Sequence, residues 1–404
     1  MKTIIFLHTT LTGSSRDAIK TAKKLGYHTV LLTKSGIALK RRKSFTEVHR
    51  MIKVNLSKIE EVKNSIENLR SEGLTIEGIV SFVDPFVSLA AELHKEYCNK
   101  SLSIGAMRAM EDKTLTREKL KDLPYTPKFY KVKGSEFKQS IPSSLKPFTY
   151  PLVVKSPLST GSKDVLKVEN DQELLESVKL LVSKNPTILI EEYLDGPQYL
   201  VETVVVNGEI HIIAIFQQEV DHLKRFIVTG YSLMNEIESD LYKNIEEAVK
   251  NIITAFEMET GACHLEIRIV NDQVKLIEIN PRISGSAMNR MIKIAYGINL
   301  VEETLKLYLG STPDLSKKWE KHLFTQYVTV STSGTLVKIT GRKSASRSQG
   351  VVEVTLRTRK GRFLFTPKSM GHRYAYVIAT GDTSDQAKKN AKTAAKKIKF
   401  HLSS

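Results

Sequence analysis

Residues 263–282 read CHLEIRIVNDQVKLIEINPR, and their acids stand where two carboxylates can be aimed at one point. Residues 262–270 and 274–280 are rich in β-branched and aliphatic side chains, and Asn271-Asp272-Gln273 between them reads as a tight hairpin loop. A three-residue loop pairs Val270 with Val274, which sets Glu266 opposite Glu278 and His264 opposite Asn280, all four on one face. Directly opposed Cβ atoms lie roughly 5 Å apart, so two carboxylates placed this way repel unless something neutralises them. Mg²⁺ suits the pair, because it takes one or two protein carboxylates and completes its shell with phosphate and water. Glu266, Glu278 and Asn280 then read as the protein's share of a metal–nucleotide site, with Arg282 placed to meet a phosphoryl oxygen. The plain alternative is a solvated sheet surface on which Arg268, two positions from Glu266, neutralises one acid. A slip of one residue in register would separate the two Glu side chains.

The elements that must position this hairpin begin with an α/β unit over residues 1–110. Thr3–Leu7 is an apolar run, residues 9–15 a polar loop, residues 18–25 a helix leading into the strand at residues 30–32, and residues 79–82 a further strand before a helix at 87–97. No GxGxxG is present, which withholds a dinucleotide fingerprint. A charged helix to Lys121, a proline-bearing connection and a loose segment over residues 133–147 mark a junction. Residues 150–200 follow as strand, glycine-containing loop, strand, helix and strand. Strand-rich residues 201–233, a helix at 240–258 and a C-terminal piece from 310 complete the chain. The expected units are 1–110, 111–190, 191–309 and 310–404.

The segment from Pro151 to Val165 reads as a strand carrying Lys155, a hydroxyl-rich loop and a return strand. Backbone N–H groups around Gly161 and the hydroxyls of Ser159, Thr160 and Ser162 suit phosphate oxygens, and Lys155 adds a point charge. An ordinary hairpin turn and a snorkelling edge-strand lysine explain the same residues. It is not a Walker A loop. Residues 188–199 form an apolar strand ending in an acidic Gly-Pro turn, which fits either the reading of an adenine and ribose or a structural bend.

Composition excludes some classes. With 404 residues and 45.5 kDa the chain is long enough for two or three cores, and no apolar run reaches the length of a membrane span. Cys98 and Cys263 form no disulfide framework or CxxC motif, which suits a reducing cytoplasm, and secretion is not expected. The formal charge is +17, and residues 334–404 hold 16 Lys and Arg against 3 acids, a net of +13. That excess suits an anionic partner or, alternatively, a solvated helix face in which Ala391, Ala394, Ala395 and Ile398 supply the buried side. No basic stretch with interleaved aromatics accompanies it, so nucleic acid is not an expected partner.

Taken in order, a strand lysine with a small-residue loop, Glu191-Glu192-Tyr193-Leu194-x-Gly-Pro, then Glu266 followed by Glu278-Ile-Asn280-Pro-Arg282, resembles the ATP-grasp superfamily of carboxylate–amine ligases. Asp112-Lys113-x-x-x-Arg117, the Glu-Ile-Asn-Pro-Arg run and the stretch at 379–385 resemble, within it, the bacterial L-amino acid ligases that make dipeptides, including those of antibiotic biosynthesis. The resemblance implies a doubly wound N-terminal α/β unit followed by an ATP-grasp fold with two α+β subdomains and a small C-terminal extension. It implies that Lys113 and Lys155 touch ATP phosphates under the loop of Ser159, Thr160, Gly161 and Ser162, and that Glu191, Glu192, Tyr193 and Leu194 hold the adenine. Gln198 stands where the family often has a ribose-binding Glu. Glu266, Glu278 and Asn280 match the ligands of Mg²⁺, for which Mn²⁺ can substitute, and Arg282 matches a phosphate-contacting arginine. His264, Arg268, Ser284 and Gly285 would line the acyl-substrate side.

The implied reaction is attack of a carboxylate, expected to be an L-amino acid, on the γ-phosphate of ATP, followed by an amine displacing phosphate. The expected partners are ATP and small-molecule amino acids in the cytoplasm, with no membrane and with a homodimer left open. Residues 217–231, including Asp221, His222, Lys224 and Arg225, read as a lid or as an ordinary surface loop. The rivals are a ligase or carboxylase acting on a non-amino-acid carboxylate, and a non-catalytic nucleotide-binding scaffold.

Overall fold

The computed structural model describes the chain apart from residues 134–147, 159–160, 162–163, 222–225, 286 and 404. The first strands are apolar on both faces because both faces are covered. Ile4, Phe6 and Leu31 enter one core, while Ile5, Leu7, Val30 and Leu32 enter another on the opposite side of the sheet. That sheet is parallel, ordered Arg50–Lys53, His28–Thr33, Lys2–Leu7, Thr75–Val80. The helices Ser14–Lys24, Ile59–Ser71 and Val87–Cys98 complete the doubly wound unit. The strand expected at 79–82 starts and ends earlier than the sequence suggests, and Ser81 turns its hydroxyl back to the carbonyl of Leu7.

A second, antiparallel sheet is ordered Phe129–Lys133, Thr187–Glu192, Leu152–Lys155, Val165–Val168. Its helix, Asp171–Val182, is capped by the Asn170 side chain on Glu173 N, and it buries Leu174, Val178 and Leu181. The strand at 129–133 was expected as connection, and the strand Thr187–Glu192 runs across the boundary expected at 190. The loose segment expected at 133–147 lies outside the described residues beyond Lys133.

The third sheet has eight strands: Gln273–Asn280, Gly261–Val270, Gln198–Val206, Glu209–Asp221, Ile227–Leu233, His322–Val328, Ala375–Gly381 and Val351–Leu356. The C-terminal segment therefore supplies three strands to the sheet that carries the hairpin, joined through Gly230↔Gln326 to Ser232↔Phe324. The lysine-rich helix Ser384–Ala395 packs its Ala387, Ala391, Ala394 and Ala395 against this sheet, and Lys388 and Lys392 both pair with Glu219. Its basic face is thus partly a structural contact.

Candidate active site

The hairpin turns out to need two departures from the expected geometry, and they cancel. Its loop has two residues, Asn271 and Asp272, both at positive φ, so Val270 pairs with Gln273 and Ile269 with Val274. After four pairs, the register shifts between Ile267 and Glu266, which leaves Ile277 as the extra residue of a β-bulge. Beyond the bulge Glu266 faces Glu278 and His264 faces Asn280, as the period-two argument required. The bulge also frees a backbone carbonyl: Ile277 O accepts from Arg117 Nη2 at 2.7 Å and from Lys155 Nζ at 3.3 Å.

Three cations converge there. Asp112 caps the helix Lys113–Lys119 by accepting from Thr114 N and Leu115 N, and it fixes Lys113 in the first turn, where the helix dipole disfavours a cation. Lys113 Nζ lies 3.5 Å from Glu278. Arg117, one turn further on the same face, donates Nε to Glu191 at 2.7 Å and Nη2 to the other oxygen at 3.3 Å. Lys155 Nζ lies 2.6 Å from that second oxygen. Arg117, Lys155 and Glu191 are all at least 96% buried, a triad of two cations on one anion. Burial, which outweighs the attraction of Glu191, lowers the Lys155 ammonium to about 8. Burial tends to raise Glu191, but Arg117 and Lys155 together hold it below the usual range.

The acid pair is electrostatically incomplete. Burial first, and Glu278 second, push Glu266 up to about 7. Glu278 is held below the usual range because Lys113, Asn280 and Lys155 overcome its burial. Near pH 7 the pair therefore retains part of a proton on Glu266, which a bound cation would displace. No group of three or more His, Cys, Asp or Glu able to hold a metal occurs among the described residues. Two carboxylates and an amide oxygen are nevertheless a hard donor set of the size that suits Mg²⁺ with phosphate and water. Asn280 is oriented by its neighbour: Nδ2 contacts His264 Nε2 at 3.3 Å, and His264 Nδ1 contacts Arg282 O at 2.8 Å. A proton on Nδ1 satisfies both contacts, and burial with the adjacent Arg282 lowers His264 to about 4, which keeps it neutral.

Lys113, Lys155, Glu191, Glu192, Tyr193, Leu194, Gln198, Glu266, Arg268 and Glu278 line one cleft between the two sheets, with Val153, Val165, Phe226 and Ile277. The Tyr193 and Phe226 rings stack with centroids 6.3 Å apart, and Lys167 stands 4.6 Å over Tyr193. This apolar, aromatic end suits a planar base. The Glu191 carboxylate is committed to the cation triad, and the Glu192 carboxylate accepts from Lys128 N at 2.9 Å. Gln198 accepts from Arg268 Nε and Nη2, both at 3.1 Å, and donates to Gln218 at 2.6 Å. Gly196 allows the acidic turn to lie on the hairpin, since a Cβ there would stand 1.9 Å from Ile269 O.

An adjoining cavity holds His264, Asn280, Arg282, Ser284 and Gly285, and shares Gln198, Phe226, Glu266 and Glu278 with the cleft. Arg268 lines the cleft and not this cavity, contrary to the expectation that it accompanies His264, Ser284 and Gly285. The bidentate grip of Gln198 and the carbonyl of Leu194 draw its guanidinium that way, so it does not neutralise Glu266. Arg282 pairs with Asp84 of the N-terminal unit through Nε at 2.7 Å and through Nη2. Of the phosphate loop, Gly161 lines the cavity, while Ser159, Thr160 and Ser162 lie outside the described residues, as do His222, Lys224 and Arg225 of the expected lid. Residues 209–221 and 227–233 on either side are sheet strands.

Sequence reasoning left Arg117, Glu202, Gln218, Tyr231 and Arg373 out of the site. Arg117 was signalled by its i,i+4 relation to Lys113. Glu202 lies beside His264 on the neighbouring strand, and its carboxylate accepts from Ser284 N at 3.0 and 3.2 Å. Burial raises it to about 7. Arg373 arrives from the C-terminal segment and had no local signal.

Three family models match the chain: an ATP-grasp N-terminal domain over residues 19–96, an ATP-grasp domain over 148–290, and L-amino acid ligase C-terminal domain 2 over 326–403. An L-arginine-specific L-amino acid ligase of Bacillus subtilis is 24% identical over 230 residues, 55% of this chain and 56% of that protein. The crystal structure of an L-amino acid ligase from Bacillus licheniformis has a TM-score of 0.84 at 19% identity, over 100% of this chain and 99% of that one. The biotin carboxylase domain of the Hydrogenobacter thermophilus 2-oxoglutarate carboxylase, solved with ADP and its magnesium salt, has a TM-score of 0.69 at 13% identity, over 99% and 90%. At these identities the two structures establish the fold. The chain spans about half the length of the curated relatives it matches, 53% and 56% for two of them. The chain belongs to the ATP-grasp superfamily, and its residues 326–403 match L-amino acid ligase C-terminal domain 2.

Proposed function

We propose that this protein is an ATP-dependent ligase that joins a carboxylate, an L-amino acid, to the amine of a second amino acid through an acyl phosphate. The observation that carries the proposal is that Lys113 pairs with Glu278 while Arg117 and Lys155 meet Glu191 and Ile277 O beside it, at the seam between an aromatic cleft and a second polar cavity. Tyr193, Phe226 and Leu194 would enclose the adenine, with Gln198 near the ribose. Glu266, Glu278 and Asn280 would hold Mg²⁺, which neutralises phosphate charge when bound.

A carboxylate oxygen of the first substrate attacks the γ-phosphorus. The bond from phosphorus to the β,γ-bridging oxygen breaks, and ADP leaves with that electron pair. Lys155 and Lys113 offset the charge that moves onto the departing oxygen, and Arg282 faces the acyl side. The amine lone pair of the second substrate then forms a C–N bond as the C–O bond to phosphate breaks, and the amine's protons pass to released phosphate and solvent. No side-chain nucleophile takes part, so the protein's contribution is orientation and charge neutralisation in a site shielded from water.

The reading is tested by incubating the full chain with Mg-ATP and a matrix of amino acid pairs, with phosphate release and product mass as readouts. ADP, phosphate and a dipeptide in equal amounts are expected. AMP with pyrophosphate, or turnover without an amide product, would contradict it.

A further inference from the structure

A second large cavity lies outside the cleft. About 920 Å³ in volume, it is walled on one side by the N-terminal unit (Leu11, Thr12, Arg16, Ile37, Arg41, Ser44) and on the other by residues 356–362 with Gly371 and Arg373. Its lining includes Arg16, Arg41, Arg357, Arg359, Lys360 and Arg362 and, among the described residues, no Asp or Glu. Of these six only Arg16 has an ion-pair partner among the described residues, Glu47. A solvated basic surface would explain Arg359, Lys360 and Arg362, which are exposed, but it does not explain the floor. There Arg357 Nη1 and Thr358 Oγ1 are buried without a hydrogen-bond partner among the described residues. Buried donors are seldom left this way, because desolvation goes unrepaid. Burial, with Arg373 and Arg362 close by, also holds the Arg357 guanidinium below arginine's ordinary range.

The basic segment is anchored. Arg357 N donates to Tyr374 O, Gly361 N to Leu336 O, and Leu336 N to Arg362 O, so the cations stand on a fixed loop between two strands. Arg373 connects this groove to the reaction centre, because it lines both the groove and the cavity of Glu266, Glu278 and Arg282. Its guanidinium lies 3.9 Å over the Tyr327 ring and donates to Val228 O.

We propose that this groove binds the far end of the amine-bearing substrate, and that this end carries at least two negative charges, as a phosphate or as clustered carboxylates. The inference rests on the ligase reading for its direction, since the amine would reach the acyl phosphate past Arg373 while its anionic end sits among Arg41, Arg357 and Arg362. Guanidinium forks accept either oxyanion in a bidentate fashion. The volume exceeds what a single amino acid needs and matches a small ligand or short peptide.

The test is titration calorimetry on the full chain with saturating Mg-ADP, using O-phospho-L-serine, L-glutamyl-L-glutamate and L-serine as probes. At least one anionic probe should bind about tenfold or more tightly than serine and weaken with added salt. The weakening should be tenfold or more in Arg357→Gln/Arg362→Gln. A second variant of exposed residues, Arg359→Gln/Arg362→Gln, reports the same loss without disturbing buried packing. Preference for the phosphate or for the dicarboxylate identifies which oxyanion the groove takes. Equal binding of all three probes, or unchanged binding in both variants, would overturn the proposal. The ADP titration run first reports on the cleft alone, so failure of the ligase reading is seen separately from failure of the groove.

Discussion

Replacing Lys155 by Met should abolish turnover and yet stabilise the free protein. Lys155 is 97% buried, and its ammonium is lowered from 10.5 to about 8 even with Glu191 at 2.6 Å. A depression of that size means the charged form is worse off in the folded chain by roughly 3 kcal/mol. Removing the lysine does not strand its partner, because Glu191 keeps both contacts to Arg117, at 2.7 and 3.3 Å. Methionine fills a similar volume without a charge. The sign with pH follows from proton counts. Between about 8 and 10.5 the unfolded chain holds the Lys155 proton and the folded chain does not, so wild-type stability rises with pH in that window. The variant should therefore exceed the wild type by about 2–3 kcal/mol at pH 7, and the gap should close toward pH 10. Urea unfolding at pH 7 and pH 9.5 measures both values. A variant less stable than wild type at pH 7 by more than about 1 kcal/mol, or a gap independent of pH, would show that the Lys155–Glu191 pair is a net structural contact.

Glu278→Gln should lower turnover by about a thousandfold or more while thermal unfolding stays near wild type, since relief of the repulsion with Glu266 offsets the lost attraction to Lys113; retained turnover would remove the metal assignment. Mg²⁺ affinity should fall about tenfold per pH unit below 7 and level off above about 8, with close to one proton released per ion in acid, because Glu266 sits near 7 until the ion arrives. Calorimetry in two buffers measures that proton, and affinity constant from pH 5.5 to 8 would contradict it. His264→Phe removes the acceptor that orients Asn280 and should raise the Mg²⁺ requirement about 10–100-fold, with activity recovering at high Mg²⁺; an unchanged Mg²⁺ dependence would remove the positioning role.

The hairpin shows how much of the site was legible. Period-two alternation placed Glu266, Glu278, His264 and Asn280 together, but the two positive-φ residues at 271 and 272 made the loop one residue shorter than read. The bulge at Ile277 restored the pairing. A bulge has no sequence signature here, and neither has the carbonyl it exposes to Arg117 and Lys155. The doubly wound start was legible from runs such as residues 4–7, buried on both faces, whereas the edge strand Arg50–Lys53 was not, because its charged ends and half-buried middle lack an apolar run. Arg268 was misplaced because strand alternation fixes the face of a long side chain but not the partner it reaches, here Gln198 and Leu194. The contribution of residues 322–381 to the hairpin's own sheet depends on pairing between strands nearly a hundred residues apart, which local patterns do not encode.

The claim that the Glu266–Glu278 face activates a carboxylate as its acyl phosphate is tested most directly by isotope transfer. A carboxylate substrate labelled with ¹⁸O in both oxygens is incubated with Mg-ATP and the amine, and the released phosphate is weighed by mass spectrometry. One ¹⁸O per phosphate, with ADP as the nucleotide product, is the predicted result. Phosphate free of label, or label appearing in AMP, would contradict it.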